Sequence, residues 1–396
     1  MRRAPRGDRR AIVVSHSYYA RDTRFRRHAE ALADAGWDVT ALCARDAGEA
    51  RRERMGAVDV HRLPARRRRG SKGRYAFEYA SFGAMALGAL ATAGPAELVY
   101  VFSIPNLLVR VAAVPRLRGA RVFLDVRDPM PEFFRSKYGL AQDHRLIRAL
   151  LAEERWACRY ADRVVTVHEG LRALLARTGV PPERIGVVMN VPDPRIFAAA
   201  PGGPRDPNDR TMLYTGTVAT RYGVDVVVRA VAALAGKIPG LRFRVVGDGD
   251  AVPAIAALAR DLGIADRLAM DGPVSLDRIP EIVHASWIGV QPHRVDPLMQ
   301  HCFSTKVLEW SALGLPVICS KTDAFARTFA DDELLFAQPG DLDSLCERIL
   351  EAHEDPEALA RRAARTKAAM SRFEWAHERN ALLALIEDSS ARRNGA

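Results

Sequence analysis

The chain has 396 residues, 48% of them apolar, enough for two sizeable cores and therefore for two domains or more. Its five cysteines (Cys43, Cys158, Cys302, Cys319 and Cys346) are odd in number and lack metal-ligand spacing, which argues for a reducing compartment and against a disulfide framework or a zinc site. A formal net charge of +11 calls for a phosphate-rich partner: nucleotides, nucleic acid or an anionic membrane surface. Near the N-terminus the only apolar run, Ala11-Ile12-Val13-Val14, is too short for a signal peptide.

Arg10-Ala11-Ile12-Val13-Val14-Ser15 reads as a buried strand. A loop at 16–21, a helix over about 22–35 closed by Gly36, and a second strand over 37–43 complete a βαβ unit, which predicts a parallel sheet. Ligands bind beyond the carboxyl ends of such strands, so the loop 15–24 is expected at a cleft. Next, Arg62, Arg66, Arg67, Arg68, Arg69, Lys72 and Arg74 read as a short cationic loop ahead of an apolar helix over about 75–93. That helix is too rich in Ala and Gly for a membrane span, which needs about 20 strongly apolar residues. Two readings stand side by side. One is a solvated charge run before a packed helix. The other is a cationic surface beside aromatic anchors, suited to an anionic bilayer at about 1 kcal/mol per basic residue.

Strands are expected at 98–102 and 121–126, the second running into Arg127-Asp128-Pro129-Met130-Pro131-Glu132. Polar groups followed by prolines at a strand's carboxyl end mark an ordered loop, in which Asp128 is either a turn cap or a cleft residue. A helix over 143–160 and a strand at 161–167 follow, and after the stretch 185–193 Pro201-Gly202-Gly203-Pro204 opens a linker running to 208. Beyond it, a strand at 211–217 ends near Gly216, which permits close approach of backbone or ligand. Arg221 falls in the next turn, where a lone Arg is ordinarily a surface residue. Gly247-Asp248-Gly249 after a strand invites a dinucleotide-binding reading, but Val252 holds the third glycine position and this is not the first βα turn of its domain.

After a strand ending at Gln291-Pro292 comes His301-Cys302-Phe303-Ser304-Thr305-Lys306-Val307-Leu308-Glu309-Trp310. Ser304 or Thr305 is the expected N-cap of a short helix closed by Gly314, with Leu315–Cys319 as the next strand. Lys306 and Glu309 lie three apart and share a helix face. A helix N-terminus with a lysine beside it suits a diphosphate, and a carboxylate one turn on suits a vicinal diol such as ribose. On spacing alone the pair is equally an ordinary exposed ion pair.

Ser304-Thr305-Lys306 through Glu309, followed by Gly314-Leu315-Pro316-Val317-Ile318, resembles the nucleotide-sugar signature of family 4 glycosyltransferases of the GT-B fold. So do Asp22-Thr23-Arg24 before an Ala/Leu helix, the Asp128–Glu132 loop, Val187-Val188-Met189-Asn190 and the Val246-Gly247-Asp248-Gly249 turn. The resemblance implies an α/β GT-B chain: two Rossmann-like parallel-sheet domains facing a central cleft, with a C-terminal helix crossing back to the first. Residues 1–200 would bind the acceptor, joined by the helix 374–396, and 209–373 the nucleotide-sugar.

On that resemblance Lys306 and Arg221 hold the donor diphosphate and stabilise its departure, and Glu309 holds the ribose. Gly216, Gly247, Val274, Ser304 and Thr305 line the donor pocket, while Asp128 lies between donor sugar and acceptor. The family's first motif Glu is His301 here, and Arg127 stands where a His is common. The implied enzyme is a retaining, metal-independent hexosyl- or N-acetylhexosaminyl-transferase without a cofactor. It would use a UDP-sugar or GDP-sugar and a glycan or lipid-linked acceptor in surface polysaccharide or glycoconjugate synthesis. It would work in the cytoplasm, with Arg66–Arg74 as contact to the inner face of the membrane. Nucleic acid is not an expected partner, since no known module or basic–aromatic interleaving occurs. The rivals are a basic nucleic-acid-binding protein and a GT-B epimerase or inactive scaffold.

Overall fold

The computed structural model describes residues 9–65, 72–197, 206 and 208–394. The linker at 201–208 therefore lies outside the described residues except for Asp206 and Asn208, and so do Arg66–Arg69 of the cationic tract. The chain divides into two units, Met1–Asn190 with Ala376–Ala396, and Val191–Trp375.

Among the described residues the first unit holds an eight-stranded sheet. Its strands are β1 (Arg10–Ser15), β2 (Asp38–Ala44), β3 (Arg52–Met55), β4 (Val58–Leu63), β5 (Leu98–Phe102), β6 (Arg121–Val126), β7 (Arg163–Thr166) and β8 (Ile185–Val187). The order is β3-β4-β2-β1-β5-β6-β7-β8, parallel except for the β3–β4 hairpin. The apolar runs of β1, β5 and β6 are buried on both faces, as a parallel sheet covered by helices requires. Helix α1 (Thr23–Asp34) starts where the Asp22 carboxylate accepts the Phe25 amide at 3.1 Å. Helix α2 (Lys72–Thr92) packs Phe82, Ala86 and Leu90 into the core. The C-terminal helix Trp375–Asn394 adds Leu382 and Ile386 to this unit's interior, and its Glu378 accepts the Met189 amide at 2.6 Å.

One sequence expectation fails here. Arg62 is not a loop residue of the cationic tract. It lies in β4, buried, with Glu49 at 3.3 Å and Glu53 at 2.8 Å. The β3–β4 hairpin went unread because Arg52-Glu53-Arg54-Met55 has no apolar alternation. Edge strands are often charged in this way.

The second unit holds a six-stranded parallel sheet among the described residues. It comprises β9 (Thr211–Thr215), β10 (Arg242–Val246), β11 (Leu268–Gly272), β12 (Ile288–Gln291), β13 (Val317–Ser320) and β14 (Leu335–Ala337). The order β11-β10-β9-β12-β13-β14 grows outward from β9 in one direction and then, from β12, in the other. Strand order therefore reverses between β9 and β12, and in doubly wound sheets ligands bind outside the carboxyl ends of strands at such a point.

Candidate active site

Two loops flank that reversal, and they carry the two cations singled out in the sequence. The first leaves β9 through Gly216 and turns as a 3-10 helix at Thr220–Tyr222, which contains Arg221. The second leaves β12 at Gln291 and ends at the helix Thr305–Ala312, which contains Lys306 and Glu309. They are joined by backbone: the Arg294 amide donates to the Arg221 carbonyl at 3.2 Å. Gly223, at φ +69°, closes the Arg221 turn against the Pro292 carbonyl, where a Cβ would stand 2.1 Å from the oxygen. Arg294 also ion-pairs with Asp225, at the start of the helix Val224–Leu234.

The Thr305–Ala312 helix is held by its inner face. Val307, Leu308, Trp310 and Ser311 are buried, with Trp310 against Gly289 of β12. Lys306 and Glu309 fall on the other face, 3.8 Å apart, with side chains 35% and 12% exposed. A carboxylate so largely buried departs from the ordinary solvated pair. Ser304 takes the N-cap position, but its hydroxyl does not cap. It donates to Gln291 Oε1 at 3.0 Å instead, and Gln291 Nε2 lies 2.9 Å from His293 Nε2. His293 is fully buried, and that burial depresses its pKa to about 4 while Asp296 opposes the shift. The imidazole is thus neutral at pH 7, and with Gln291 Nε2 donating, its Nε2 accepts.

Gly216 and Gly247 meet at the ends of β9 and β10. Gly216 donates its amide to Val246 at 2.9 Å, and a Cβ on Gly247 (φ +149°) would fall 1.8 Å from the Gly216 carbonyl oxygen. Contact with the protein's own backbone thus accounts for Gly247 without a dinucleotide. Val274, partly exposed, lies beyond the end of β11 on the same edge of the sheet. Asp296 accepts the Leu298 and Met299 amides at 2.8 and 3.2 Å, fixing the turn Met299–His301. Gln291, His293 and Arg294 were missed as site residues. The available signal was a polar residue closing an apolar strand just upstream of the motif.

In the first unit the carboxyl ends of β1 and β6 carry a different kind of site. Arg24 of α1 grips the buried Asp125 with Nη2 2.8 Å and Nε 3.1 Å from its oxygens, and donates to the Val188 carbonyl at 2.7 Å. The Tyr100 hydroxyl donates to Asp125 at 2.7 Å, which leaves His28 Nδ1, 3.1 Å from that hydroxyl, as the donor to it. Burial, then Arg24, pushes the His28 pKa well down, so the imidazole is neutral. Arg127 bonds both oxygens of Asp22 at 3.0 and 3.1 Å. Burial alone would raise the Asp22 carboxyl, but Arg127, the Phe25 amide and Ser17 hold it below the usual range. Asp128 follows on this loop, half-buried, and its charge acts on Arg127. It stands one residue ahead of Pro129, the N-cap residue of the helix Met130–Tyr138. Among the described residues no group of three or more His, Cys, Asp or Glu stands together as a metal-holding set.

The doubly wound sheet of the second unit, with two cation-bearing loops at its strand reversal, defines a nucleotide-binding class of fold. Comparisons narrow the class. The model of a glycosyl transferase 4-like domain matches residues 22–190, and that of glycosyl transferases group 1 matches 199–369. The chain belongs to the GT-B glycosyltransferases of this family. It is 30% identical over 236 residues to the D-inositol 3-phosphate glycosyltransferase of Thermobispora bispora, covering 54% of this chain and 53% of that protein. Against the 2-deoxystreptamine glucosyltransferase of Streptomyces kanamyceticus it is 28% identical over 224 residues, covering 54% and 56%. The chain thus spans about half the length of the curated relatives it matches. Among solved structures, the sucrose-phosphate synthase of Thermosynechococcus elongatus superposes with a TM-score of 0.80 at 19% identity, covering 97% of this chain and all of that one. Anabaena HepE, solved in complex with UDP-glucose, superposes at 0.70 with 14% identity, covering 98% of this chain and all of that one. Both share the fold of two Rossmann-like parallel-sheet domains.

Proposed function

We propose that the protein transfers a sugar from a nucleoside diphosphate sugar to an acceptor hydroxyl with retention of anomeric configuration. The carrying observation is that the Arg221 turn and the Lys306 helix leave β9 and β12, the two strands flanking the reversal of the second sheet, and are tied through Arg294. Arg221 and Lys306 grip the diphosphate, and Glu309 accepts from the ribose hydroxyls. Ser304 and Thr305 stand at the helix N-terminus, where amides and dipole favour an anion. Gly216, Gly247 and Val274 line the nucleotide side. In the reaction the bond from the anomeric carbon to the diphosphate oxygen breaks, and the acceptor oxygen bonds that carbon on the same face. The acceptor's proton passes to the departing diphosphate. Asp128 lies toward the acceptor. Charge builds on the leaving group in the transition state, so fixed cations there lower the barrier.

A UDP-sugar is the preferred donor, with GDP-sugars next. The acceptor is a glycan or lipid-linked sugar in polysaccharide or glycoconjugate synthesis. Inositol 3-phosphate and 2-deoxystreptamine, for which two relatives are named, belong in the acceptor panel. The tract Arg66–Arg74 is proposed to attach the protein peripherally to an anionic bilayer. Among the described residues no helix is long and apolar enough to cross a membrane. Retention on anionic vesicles at low salt, lost at high salt, tests that attachment, and no retention at low salt removes it.

Lys306→Ala tests the transfer reading. Turnover is expected to fall by about 100-fold or more, corresponding to roughly 3–4 kcal/mol of barrier, with the melting temperature unchanged. Wild-type turnover in this variant refutes the assignment. The anomeric configuration of the product, read by NMR, tests retention.

A further inference from the structure

Strand β12 is buried along its length, yet it closes on Gln291, which is 2% exposed. A primary amide held that far from water needs partners for both its donor and its acceptor. Gln291 Oε1 accepts the Ser304 hydroxyl at 3.0 Å, and its Nε2 lies 2.9 Å from His293 Nε2. His293, 1% exposed, is fixed in turn. Its carbonyl accepts the Ser320 hydroxyl at 3.1 Å, and its ring packs beside Phe325 and beside Tyr222 of the Arg221 turn, at 6.0 and 6.1 Å.

What this chain of bonds takes from Ser304 is a helix cap. Serine is among the preferred N-cap residues, because its oxygen accepts the amide two or three residues on. Ser304 stands at the N-cap of the helix Thr305–Ala312 and makes no such bond. Its backbone does not prevent one. At φ −77° and ψ 117° it lies close to Asp341, at −90° and 116°, whose side chain accepts the amide of Ser344 three residues on. The difference is that Gln291 holds the Ser304 hydroxyl. At the open helix end the Val307 amide makes only a 3.3 Å bond to the Ser304 carbonyl, and among the described residues the Thr305 and Lys306 amides have no acceptor. Amides left in this way cost the free protein a cap and serve a protein that binds an anion there.

We propose that Gln291, held by His293, is a positioning residue of the donor site: it withholds the Ser304 hydroxyl from the helix and so keeps the first-turn amides open for the diphosphate. The inference rests on the diphosphate reading given above and adds to it a group that acts only through Ser304. Freed from Gln291, the hydroxyl turns to the Val307 amide, as the Asp341 carboxylate turns to Ser344 at its own helix. Its oxygen then stands where a phosphate oxygen would. Capping and nucleotide binding are thus alternatives at one helix end, and the buried side-chain amide decides between them.

The test uses the full chain, UDP as the probe and Gln291→Leu as the first variant. Without ligand, hydrogen exchange followed by NMR should slow about five-fold at the Val307 amide, the protection that a new cap supplies. UDP affinity, measured by calorimetry, should fall by about ten-fold. Adding Ser304→Ala to Gln291→Leu removes the competing hydroxyl. Val307 exchange should then return to the wild-type rate, and UDP affinity should recover by about five-fold or more. A merely structural role for Gln291 gives no recovery, because the second substitution repairs no packing. If Gln291→Leu lacks a cooperative melting transition, Ser304→Asn carries the test on an intact β12, since asparagine is a preferred cap with a side chain as long as that of Asp341. It should slow Val307 exchange without lowering the melting temperature, and weaken UDP binding by about ten-fold. Lys306→Ala, run beside these, keeps the two readings apart. Unaltered UDP affinity in that variant refutes the diphosphate reading, whereas exchange in the ligand-free chain judges the withheld cap by itself. Val307 exchange that is not slowed in the folded variant, slower exchange with unchanged UDP affinity, or no recovery in the double variant overturns the proposal.

Discussion

The carboxyl edges of the two sheets use charge in opposite ways. In the first unit the cations are turned inward. Arg24 is buried on Asp125, and Arg127 is tied to Asp22, so their job is to fasten α1 and the β6 loop. In the second unit the side chains left on the edge are held from behind by groups that carry no net charge: glycine–carbonyl contacts, the Ser304–Gln291–His293 chain and the buried Trp310. The lesson is that a conspicuous Arg at a strand end is not by itself a ligand-binding group. What its guanidinium already touches decides.

That contrast can be broken at several points, in order of expected effect. Removing one partner of the inward network should cost most. Asp125→Ala leaves Arg24 buried without its carboxylate and is expected to destabilise the first unit by about 3–5 kcal/mol, read by urea unfolding. A loss below about 1 kcal/mol would show the network to be dispensable. Gly247→Ala comes next. Its methyl group would meet the Gly216 carbonyl, so the ends of β9 and β10 must part. An expected cost of about 1–3 kcal/mol, together with weakened UDP binding, separates this from a remote surface change.

The last effect is confined to alkaline pH and concerns Glu154 in the helix Arg145–Tyr160. Burial, then Glu132 and Glu153, raises its pKa to about 8. A raised folded-state pKa contributes stability that is full below the ordinary carboxyl value and is lost as pH climbs through about 8. Glu154→Gln should therefore match the wild type near pH 5 and melt higher than it near pH 9. A constant difference between the two proteins across that range contradicts the assignment.

The parts of the molecule that were legible in the sequence are those where one residue type admits one physical reading. The apolar runs of β1, β5, β6 and β9 gave two parallel sheets, and Lys306 and Glu309 three apart gave a shared helix face. The structure adds the buried side of Glu309 and the neighbours of Arg221, which spacing does not carry. Arg62 was misread because a charged edge strand looks like a charged loop. Asp125 sat in view in Val122-Phe123-Leu124-Asp125-Val126, and a carboxylate inside an apolar strand requires a buried partner. Which of the many arginines supplied it depended on a contact across 101 residues of sequence.

The account rests on Arg221 and Lys306 gripping one diphosphate, and a double-mutant cycle on UDP affinity tests this most directly. Each single alanine variant should weaken UDP binding by roughly ten-fold or more. The double variant should deviate from the sum of the two effects by about 0.5 kcal/mol or more, because side chains on a shared ligand are coupled. Wild-type affinity in either single variant, or strictly additive losses, would contradict it.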